Sequence, residues 1–379
     1  MSKSSHLARQ LFFVALSVVV LCTALISYAV DTHLPDKLVL QPVSYKEVPG
    51  WREDGHNEPL AAFIKSCMAF IKMDDTDSTG QGVLRSPVTV WKAVCREATI
   101  VPAGDPALAR HFFETFFVPF RATNNGNPIG LFTGYYEPLL NGSRTQQRPY
   151  VYPVYGLPEA GTPAYTRAQI DMGALNGHAP VLAYVDDPVA RFFLHVQGSG
   201  RIALDTERRI DVGYAGSNGF NYRSIGKVLV DRGIFKKEDV TMLLLRQWLH
   251  DHPNDMWQVI WENPSYIFFR EISGDPLGSE QVPLTAGRSL AVDQNFIPLG
   301  SPVFVNTEIP ATPQAPLTIH RKLLIAQDTG TAIRGPVRGD IFFGFGENAE
   351  QVAGRMKATG EMILLVPRPL AITLNRPGS

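Results

Sequence analysis

The pattern of apolar and polar positions predicts helices in the first part of this chain. Between residues 58 and 120, apolar side chains recur three and four positions apart, as in Leu60, Phe63 and Ile64. This spacing places them on one face of an amphipathic helix. Asp105–Pro106 fits a helix N-cap followed by proline in the first turn. A short strand, 38–45, precedes these helices.

From residue 130 onward the pattern changes to short apolar or aromatic runs separated by turn residues, which predicts many strands. Helices are predicted at 224–232, 237–251 and 256–262, and the tail after residue 369 is expected to be loose. The predicted strands are 129–136, 150–155, 181–185, 192–197, 202–204, 265–272, 289–292, 302–305, 322–327, 340–345 and 361–367.

Composition narrows the class of protein. Apolar residues make up 45% of the 379 residues and the formal net charge is −1. Such a chain can bury sizeable cores and is not of the disordered type. Without a basic excess it does not resemble a nucleic-acid-binding protein. The 32 glycines and 29 prolines agree with many turns between short strands.

The N-terminus carries a targeting pattern. Lys3 and Arg9 precede an apolar stretch at 11–30, and no acidic residue occurs before Asp31. Twenty helical residues span about 30 Å, the thickness of a bilayer core. Residues 1–30 are therefore predicted to be a signal anchor or a secretory signal peptide, which exports the rest of the chain. A proline-bearing tether is expected at 31–50.

Cys67 and Cys95 are the two cysteines beyond that segment. Each lies in a predicted short helix, and two antiparallel helices would bring them together. An exported compartment is oxidising, which favours a disulfide. A Cys67–Cys95 bridge and two buried thiols both remain open, whereas a zinc site lacks the necessary histidines.

Three aspartates are candidates for chemistry. Asp293, Asp328 and Asp340 each lie beside a strand-type apolar run and near Gly or Pro. Apolar surroundings raise the pKa of a carboxyl group and suit it to donate a proton near neutral pH. Asp340 precedes Ile341–Phe343, the most apolar of the three settings, and is the first choice for an acid catalyst.

Simpler explanations compete with this one. Aspartates beside glycine are often turn residues that bond their own backbone. Asp328–Thr331 matches the D-T-G-T core of aspartic proteases, but those enzymes need two such carboxylates and this chain has one copy. Arg338–Asp340 matches a three-letter adhesion motif, which is too short to carry weight.

Five motifs together resemble the membrane-bound lytic murein transglycosylase A family, over roughly residues 45–367. The first four are short signatures that occur in the family's order, and the fifth is the segment with the three aspartates. They are F-T-G-Y-Y-E-P at 132–138, F-L-H-V-Q-G-S-G at 193–200, Y-A-G-S-N-G with Y-R-S-I-G-K at 214–227, N-P-S-Y-I-F-F at 263–269, and 285–367.

The resemblance implies a fold that is mainly β with flanking helices. It implies a large domain of residues 51–134 and 273–379, built around a double-psi β-barrel that contains the three-Asp segment 285–367. A smaller β-rich domain, 135–272, would be inserted into it. The groove between the two domains would hold a glycan strand.

Many relatives are lipid-anchored, but Val20–Leu21–Cys22 lacks the small residue expected before a lipidated cysteine.

The resemblance also implies a reaction: cleavage of the β-1,4 bond between N-acetylmuramic acid and N-acetylglucosamine in peptidoglycan, with 1,6-anhydromuramic acid ends. Asp340 would protonate the leaving oxygen and then accept the proton of the muramyl C6 hydroxyl. Asp328 would support it, while Asp293 would support the site or cap a turn. No metal or organic cofactor is expected.

Sugar binding needs hydrogen-bonding groups and flexible backbone beside the ligand. The residues expected to supply these are Thr133, Gly134, Tyr135, Gln197, Gly198, Ser199, Gly200, Asn218 and Tyr222. The Gly-Ser-Gly segment also fits a plain hairpin turn.

Two rival functions remain: a hydrolytic glycosidase with Glu137 as second carboxylate, and a non-catalytic wall-binding module. The expected partners are glycan strands and, through the N-terminal segment, a membrane. The expected location is the periplasm, with no nucleic acid bound.

Overall fold

The computed structural model describes residues 34–206, 208–274, 276–310 and 316–374. The chain divides into Met1–Asp36 and Lys37–Ser379, and only 34–36 of the first unit are described. The predicted signal segment 1–30, with Cys22, therefore lies outside the described residues, as do residues 31–33 of the predicted tether. Among the residues described, no helix combines the length and the apolar character needed to cross a membrane.

Strands dominate the described part of the chain, which is mainly β with flanking helices, as predicted. Its strands are β1 (Leu38–Pro42), β2 (Ser78–Thr79), β3 (Ser86–Pro87), β4 (Phe117–Asn124), β5 (Gly130–Glu137), β6 (Leu139–Ser143), β7 (Tyr152–Tyr155), β8 (Val181–Val185), β9 (Ser199–Leu204), β10 (Arg209–Ser217), β11 (Ile267–Ile272), β12 (Ser289–Val292), β13 (Pro302–Pro310), β14 (Leu317–Asp328), β15 (Arg338–Phe345) and β16 (Lys357–Pro367).

The helices flank the strands at the front, in the middle and at the end of the chain. They are α1 (Asn57–Lys72), α2 (Val88–Ile100), α3 (Pro106–Phe116), α4 (Arg167–Asp171), α5 (Pro188–Gln197), α6 (Ile225–Asp231), α7 (Met242–Asp251), α8 (Pro253–Ile260), α9 (Glu347–Arg355) and α10 (Arg368–Leu374), with 3-10 turns at Tyr45–Glu47 and Gly82–Leu84.

The larger sheet has the strand order β1-β4-β16-β13-β14-β12-β15-β5, and β5 also pairs with β16. Six strands, from β16 round to β5, therefore form a closed ring of pairings. β12 with β14 and β15 with β5 are parallel, while β13 is antiparallel to both of its neighbours. The apolar side chains of these strands form one core, which includes Phe132, Leu290 and Ile341.

Helices α1–α3 pack on the outside of this ring. Their apolar faces form a second core with strand residues such as Phe304 and Leu323. A disulfide joins Cys67 of α1 to Cys95 of α2. The predicted N-cap of α3 is confirmed, since Asp105 accepts hydrogen bonds from the backbone N–H groups of Ala107 and Leu108 at 2.8 and 3.0 Å.

The smaller sheet has the order β11-β10-β9-β6-β8-β7. Helix α5 packs on this sheet through Ala190 and Leu194, and helices α5 to α8 share a further core that includes Phe192 and Leu249. Only Pro138 separates β5 of the larger sheet from β6 of the smaller one. The chain therefore enters the smaller sheet directly from the edge of the ring.

Three sequence-based predictions were wrong. Residues 117–120, predicted to be helical with the rest of 58–120, begin strand β4. Residues 192–197 form the end of helix α5, not a strand. Asp187 caps this helix by accepting from Val189 N, Pro188 occupies its first turn, and its buried residues follow helical spacing. Residues 370–374, predicted to be part of a loose tail, continue helix α10, because Leu370 and Ala371 are buried against the core of the ring; the rest of that tail lies outside the described residues.

Candidate active site

Asp328 and Asp340 lie on either side of the same residue of the ring. Ala291 of β12 is opposite Asp328 of β14 in the parallel pairing and opposite Asp340 of β15 in the antiparallel one. The two aspartates are separated by two strand-to-strand spacings, so their backbones lie about 10 Å apart. Both side chains line a cleft of about 400 Å³.

Asp340 makes a short hydrogen bond with strand β5. Thr133 Oγ1 lies 2.6 Å from Asp340 Oδ1 and accepts a second hydrogen bond, of 2.7 Å, from Arg338 Nη2. Burial raises the pKa of Asp340; Arg338 and Thr133 oppose this, and the charge of Asp328 adds to it. The net increase suits a group that must hold a proton near neutral pH.

Asp328 is held more tightly. Its Oδ1 accepts from the Ser279 N–H at 2.9 Å, the Ser279 hydroxyl at 2.8 Å and the Thr329 N–H at 2.9 Å. Its Oδ2 accepts from the Tyr135 hydroxyl at 3.0 Å. Burial raises the pKa of Asp328, although these four bonds each lower it. The bonds fix the carboxyl group as an acceptor in the lining of the cleft.

Tyr135 remains a phenol in this position. Burial raises the pKa of Tyr135 well above its ordinary value, and the charge of Asp328 raises it further. Thr133 and Tyr135 alternate along β5, so both point toward the same side of the strand. One strand therefore supplies a hydroxyl group to each of the two aspartates.

The predicted Gln197–Gly200 segment forms a corner of the cleft. Gln197 Oε1 accepts from Tyr136 N at 3.1 Å, and this holds α5 to β5. Gly198 ends the helix at φ 81°, a conformation that favours glycine. Gly198 and Ser199 line an adjoining cavity of about 530 Å³. A Cβ on Gly200 would come within 2.4 Å of Leu194 Cδ1, so this glycine serves packing and not ligand approach.

Three other candidates have structural partners. The amide of Asn218 is occupied by backbone groups, since it donates to Tyr165 O and Pro264 O and accepts from Tyr266 N. This differs from the expected contact with a sugar. Asp293 accepts from the N–H groups of Asn295 and Gly335 and orders a buried turn. Glu137 is buried against Arg201 at 3.1 Å.

Gly134 and Tyr222 do line the cleft. At Gly134 a Cβ would meet the Phe343 ring at 2.6 Å, so glycine there also lets α9 and β15 pack on β5. Burial raises the pKa of Tyr222, and its phenol remains protonated beside the cleft.

Sequence reasoning missed several cleft residues. Arg167 Nη1 donates to His195 Nδ1 at 2.8 Å, and burial, with Arg167 and Arg191 nearby, holds the pKa of His195 well below its ordinary value. Tyr214 and Phe220 expose 53% and 37% of their surfaces at the cleft, as platforms that could stack on sugar rings. His195, Tyr214 and Phe220 lie within the stretches 193–200 and 214–227 that carry the family resemblance, but nothing there distinguishes them from their neighbours, and Arg167 has no local signal. Arg338 lies two residues before Asp340.

The described residues contain no group of three or more His, Cys, Asp or Glu side chains placed to hold a metal ion. A larger cavity, of about 740 Å³, lies beside α1 and is lined by Met68, Phe70 and Glu280. Neither Asp328 nor Asp340 lines that cavity. The cleft between the aspartates and α5 is therefore the candidate active site.

Comparisons with known proteins agree on one family. The family described as "MltA specific insert domain" matches residues 131–270, and the "3D domain" matches residues 288–366. Membrane-bound lytic murein transglycosylase A of Vibrio cholerae is 32% identical over 269 residues, which cover 69% of this chain and 72% of the relative. Its Escherichia coli K12 counterpart is 36% identical over 272 residues, covering 70% and 73%.

Solved structures are similar over most of the chain. The membrane-bound lytic murein transglycosylase from Agrobacterium tumefaciens has a TM-score of 0.77 and 32% identity, covering 88% of this chain and 99% of the other. Escherichia coli MltA with bound chitohexaose has a TM-score of 0.63 and 29% identity, covering 89% and 93%.

Proposed function

The chain belongs to the membrane-bound lytic murein transglycosylase A family, and we propose that it cleaves the glycan strands of peptidoglycan as a lytic transglycosylase. The observation that carries this function is the pair of aspartates across Ala291, of which Asp340 has a raised pKa within an open cleft. The relative crystallised with chitohexaose supports a β-1,4-linked glycan as the ligand of this cleft.

One carboxyl group suffices for the reaction. Asp340 gives its proton to the glycosidic oxygen as the bond from muramyl C1 to that oxygen breaks. The muramyl C6 hydroxyl then bonds to C1, and its proton returns to Asp340. The products are a 1,6-anhydromuramic acid end and a free N-acetylglucosamine hydroxyl, and no water is consumed. Ordinary glycosidases, in contrast, use two carboxylates, one of which activates water or attacks C1.

Asp328 supports Asp340 through its charge. Asp328 accepts four hydrogen bonds from Ser279, Thr329 and Tyr135, and its negative charge raises the pKa of Asp340. The same charge is positioned to stabilise the positive charge that develops on the sugar ring. Asp293, bonded to the backbone of Asn295 and Gly335, supports the ring and not the reaction.

The substrate contacts that we propose come from the walls of the cleft. Thr133, Gly134, Tyr135, Gln197 and Tyr222 line it, and Gly198 and Ser199 line the adjoining cavity. Gly200 and Asn218 are left out, because packing and backbone hydrogen bonds account for them. Glu137 is left out as a second acid, since it is paired with Arg201 and buried.

The arrangement of strands supports the finer fold and domain assignments. A closed ring of six strands with two parallel pairs is consistent with a double-psi β-barrel. Strands β6–β11 form the smaller sheet, which supports an insert at 135–272 within a large domain of 51–134 and 273–379. The Cys67–Cys95 disulfide supports an oxidising compartment such as the periplasm, with the chain either tethered by residues 1–30 or released.

Product analysis tests the reaction type. We expect purified sacculi treated with the protein to release fragments that end in 1,6-anhydromuramic acid. Mass spectrometry distinguishes these from hydrolysis products, which are heavier by one water and carry a reducing end. Reducing ends would establish the hydrolytic alternative, and the absence of any release would favour a binding module.

Replacing Asp328 with Asn should lower kcat about 10- to 100-fold and move the alkaline limb of the pH–activity profile to lower pH. An amide cannot accept from Tyr135, Ser279 and Thr329 without turning its NH₂ group toward a donor. Loss of the negative charge lowers the pKa of Asp340, so the acid loses its proton at lower pH. An alkaline limb that stays in place would contradict this role.

A further inference from the structure

Three side chains form a chain of hydrogen bonds that ends on the catalytic carboxyl group. Arg338 Nη2 is 2.7 Å from Thr133 Oγ1, which is 2.6 Å from Asp340 Oδ1. A guanidinium group has only donors, so Arg338 must donate to Thr133. This bond uses a lone pair of the hydroxyl oxygen and polarises its O–H group.

The direction of the second bond follows. A threonine hydroxyl has a single hydrogen, and Thr133 satisfies it by donating to Asp340 Oδ1. If Asp340 carried its own proton on Oδ1, that hydrogen and the hydroxyl hydrogen of Thr133 would compete for the single contact between Oδ1 and Oγ1. The arrangement that pairs every donor therefore leaves Oδ1 as an acceptor and places the acidic proton on Oδ2. Within the described residues, Asp340 forms its hydrogen bond through Oδ1 to Thr133 and none through Oδ2.

We propose that Arg338 and Thr133 are positioning residues that direct the transferable proton of Asp340 to Oδ2, the oxygen that faces the glycosidic bond. The proposal rests on the proposed function, since it assumes that Asp340 is the acid. It adds Arg338, which the sequence reasoning did not select, and it gives Thr133 a role distinct from sugar binding.

Strands β15 and β5 hold Arg338 and Thr133 rigidly. β15 and β5 run parallel with Asp340 opposite Thr133 and Arg338 opposite Leu131. The guanidinium group also donates to Leu131 O at 3.3 Å and to Gly339 O. Donor, hydroxyl and acid are thus fixed to the same pair of strands, which is the support that a precise proton donor needs.

Arg338 also supplies the cation nearest to the acid. The groups that face Asp340 are Arg338 on its own strand, Thr133 and Tyr135 on β5, and Asp328 at the end of β14. Lys357, opposite Thr133 on β16, directs its Nζ to Lys237 O at 2.6 Å. Arg338 lowers the pKa of Asp340 while Asp328 raises it, so removing either charge must move the pH profile, in opposite directions.

The experiment measures kcat, KM and the pH dependence of kcat/KM with sacculi for four variants in the full chain. Thr133→Val removes the hydroxyl at nearly constant shape, and Thr133→Ser keeps it. Arg338→Met removes the donor and the charge. Arg334→Met is the matched control, because it removes an exposed arginine four residues earlier in the chain.

We expect Thr133→Val to lower kcat about 10- to 100-fold with KM changed less than about threefold, and Thr133→Ser to stay within about threefold of the wild type. We expect Arg338→Met to move the alkaline limb upward by about one pH unit, and Arg334→Met to leave it in place. A limb that moves by less than about 0.2 units in Arg338→Met, or Thr133→Val and Thr133→Ser with equal kcat, overturns the proposal.

These four variants, together with Asp340→Asn, separate a failure to fold and a failure of the proposed function from a failure of the positioning role. If Arg338→Met does not fold, as judged by circular dichroism, the comparison of Thr133→Val with Thr133→Ser decides the question. If Asp340→Asn keeps full turnover, the proposed function itself fails. If Asp340→Asn is inactive while the positioning variants behave as the wild type, only the positioning role fails.

Discussion

We expect Asp340→Asn to lower peptidoglycan cleavage at least about a thousandfold while glycan binding is retained. The amide cannot give a proton to the leaving oxygen or accept one from the C6 hydroxyl. Its carbonyl oxygen can still accept from Thr133, whose hydroxyl lies 2.6 Å from Asp340 Oδ1, so the cleft keeps its shape. Release of anhydro-ended products measures cleavage, and co-sedimentation with sacculi measures binding.

Asp231→Asn is the control for this variant, since it changes an exposed aspartate that pairs with Lys227 on α6. It should cleave at the wild-type rate. Turnover by Asp340→Asn within about tenfold of the wild type, once mass spectrometry has verified the substitution, would exclude Asp340 as the acid. Loss of both cleavage and binding would indicate that the carboxyl group shapes the cleft.

Asp54→Ala should destabilise the fold by about 3–5 kcal/mol, because it leaves the buried guanidinium group of Arg288 without its main partner. Asp54 accepts from Arg288 Nη1 and Nη2 at 2.9 and 2.8 Å and from Leu323 N at 2.7 Å. Arg288 directly precedes β12, the strand that lies between the two aspartates of the site. Urea unfolding followed by tryptophan fluorescence measures the change.

In the wild-type protein, acid should remove the stabilisation that the ionised Asp54 contributes. Burial raises the pKa of Asp54, but the hydrogen bonds and charge of Arg288 and the bond from Leu323 outweigh it, so the pKa in the folded state is below the ordinary 3.8. The stabilisation is therefore complete above the unfolded-state pKa and is lost as the pH falls through the folded-state pKa.

Asp231→Ala is the matched control for Asp54→Ala. It removes a pair with side-chain exposures of 72% and 53%, and the cost should stay below about 0.5 kcal/mol. Adding Arg288→Met to Asp54→Ala should recover part of the loss, because the unpaired charge is removed. Equal urea-unfolding midpoints for Asp54→Ala and Asp231→Ala would contradict a stabilising role of the buried Asp54–Arg288 pair.

The sequence was most informative where the chemistry is local. The short apolar runs before Asp328 and after Asp340 predicted strands there, and both strands form. The N-cap at Asp105 was also readable, because the cap and the bonded N–H groups lie within three residues. In contrast, α5 was mistaken for a strand, although Asp187, Pro188 and the spacing of Val189 and Phe192 carried a helical signal.

Contacts between distant segments were beyond local patterns. Thr133 and Asp340 are 207 residues apart in the chain, and Asp54 and Arg288 are 234 apart. Periodicity indicates which face of a strand is buried but not which strand lies beside it. For that reason the partners of Asp328 and Asp340, and the presence of Arg167 and His195 in the cleft, came only from the structure.

Residue type alone also left roles undecided. A glycine beside a cleft can admit a ligand or a neighbouring side chain, and Gly200 admits Leu194. An asparagine amide can bind an acetamido group or the backbone, and Asn218 binds the backbone. Both assignments depend on atoms that lie far away in the sequence.

In the proposed mechanism, the pairing of β5 with β15 completes the active site late in the synthesis of the chain. A growing chain that has passed the smaller sheet already carries the hydroxyl groups of Thr133 and Tyr135, but it has neither Asp328 nor Asp340. The two carboxyl groups arrive with the final quarter, and Asp340 reaches its position opposite Thr133 when β15 docks beside β5. We therefore expect unfinished or prematurely terminated chains, which lack the proposed acid, to leave peptidoglycan uncut.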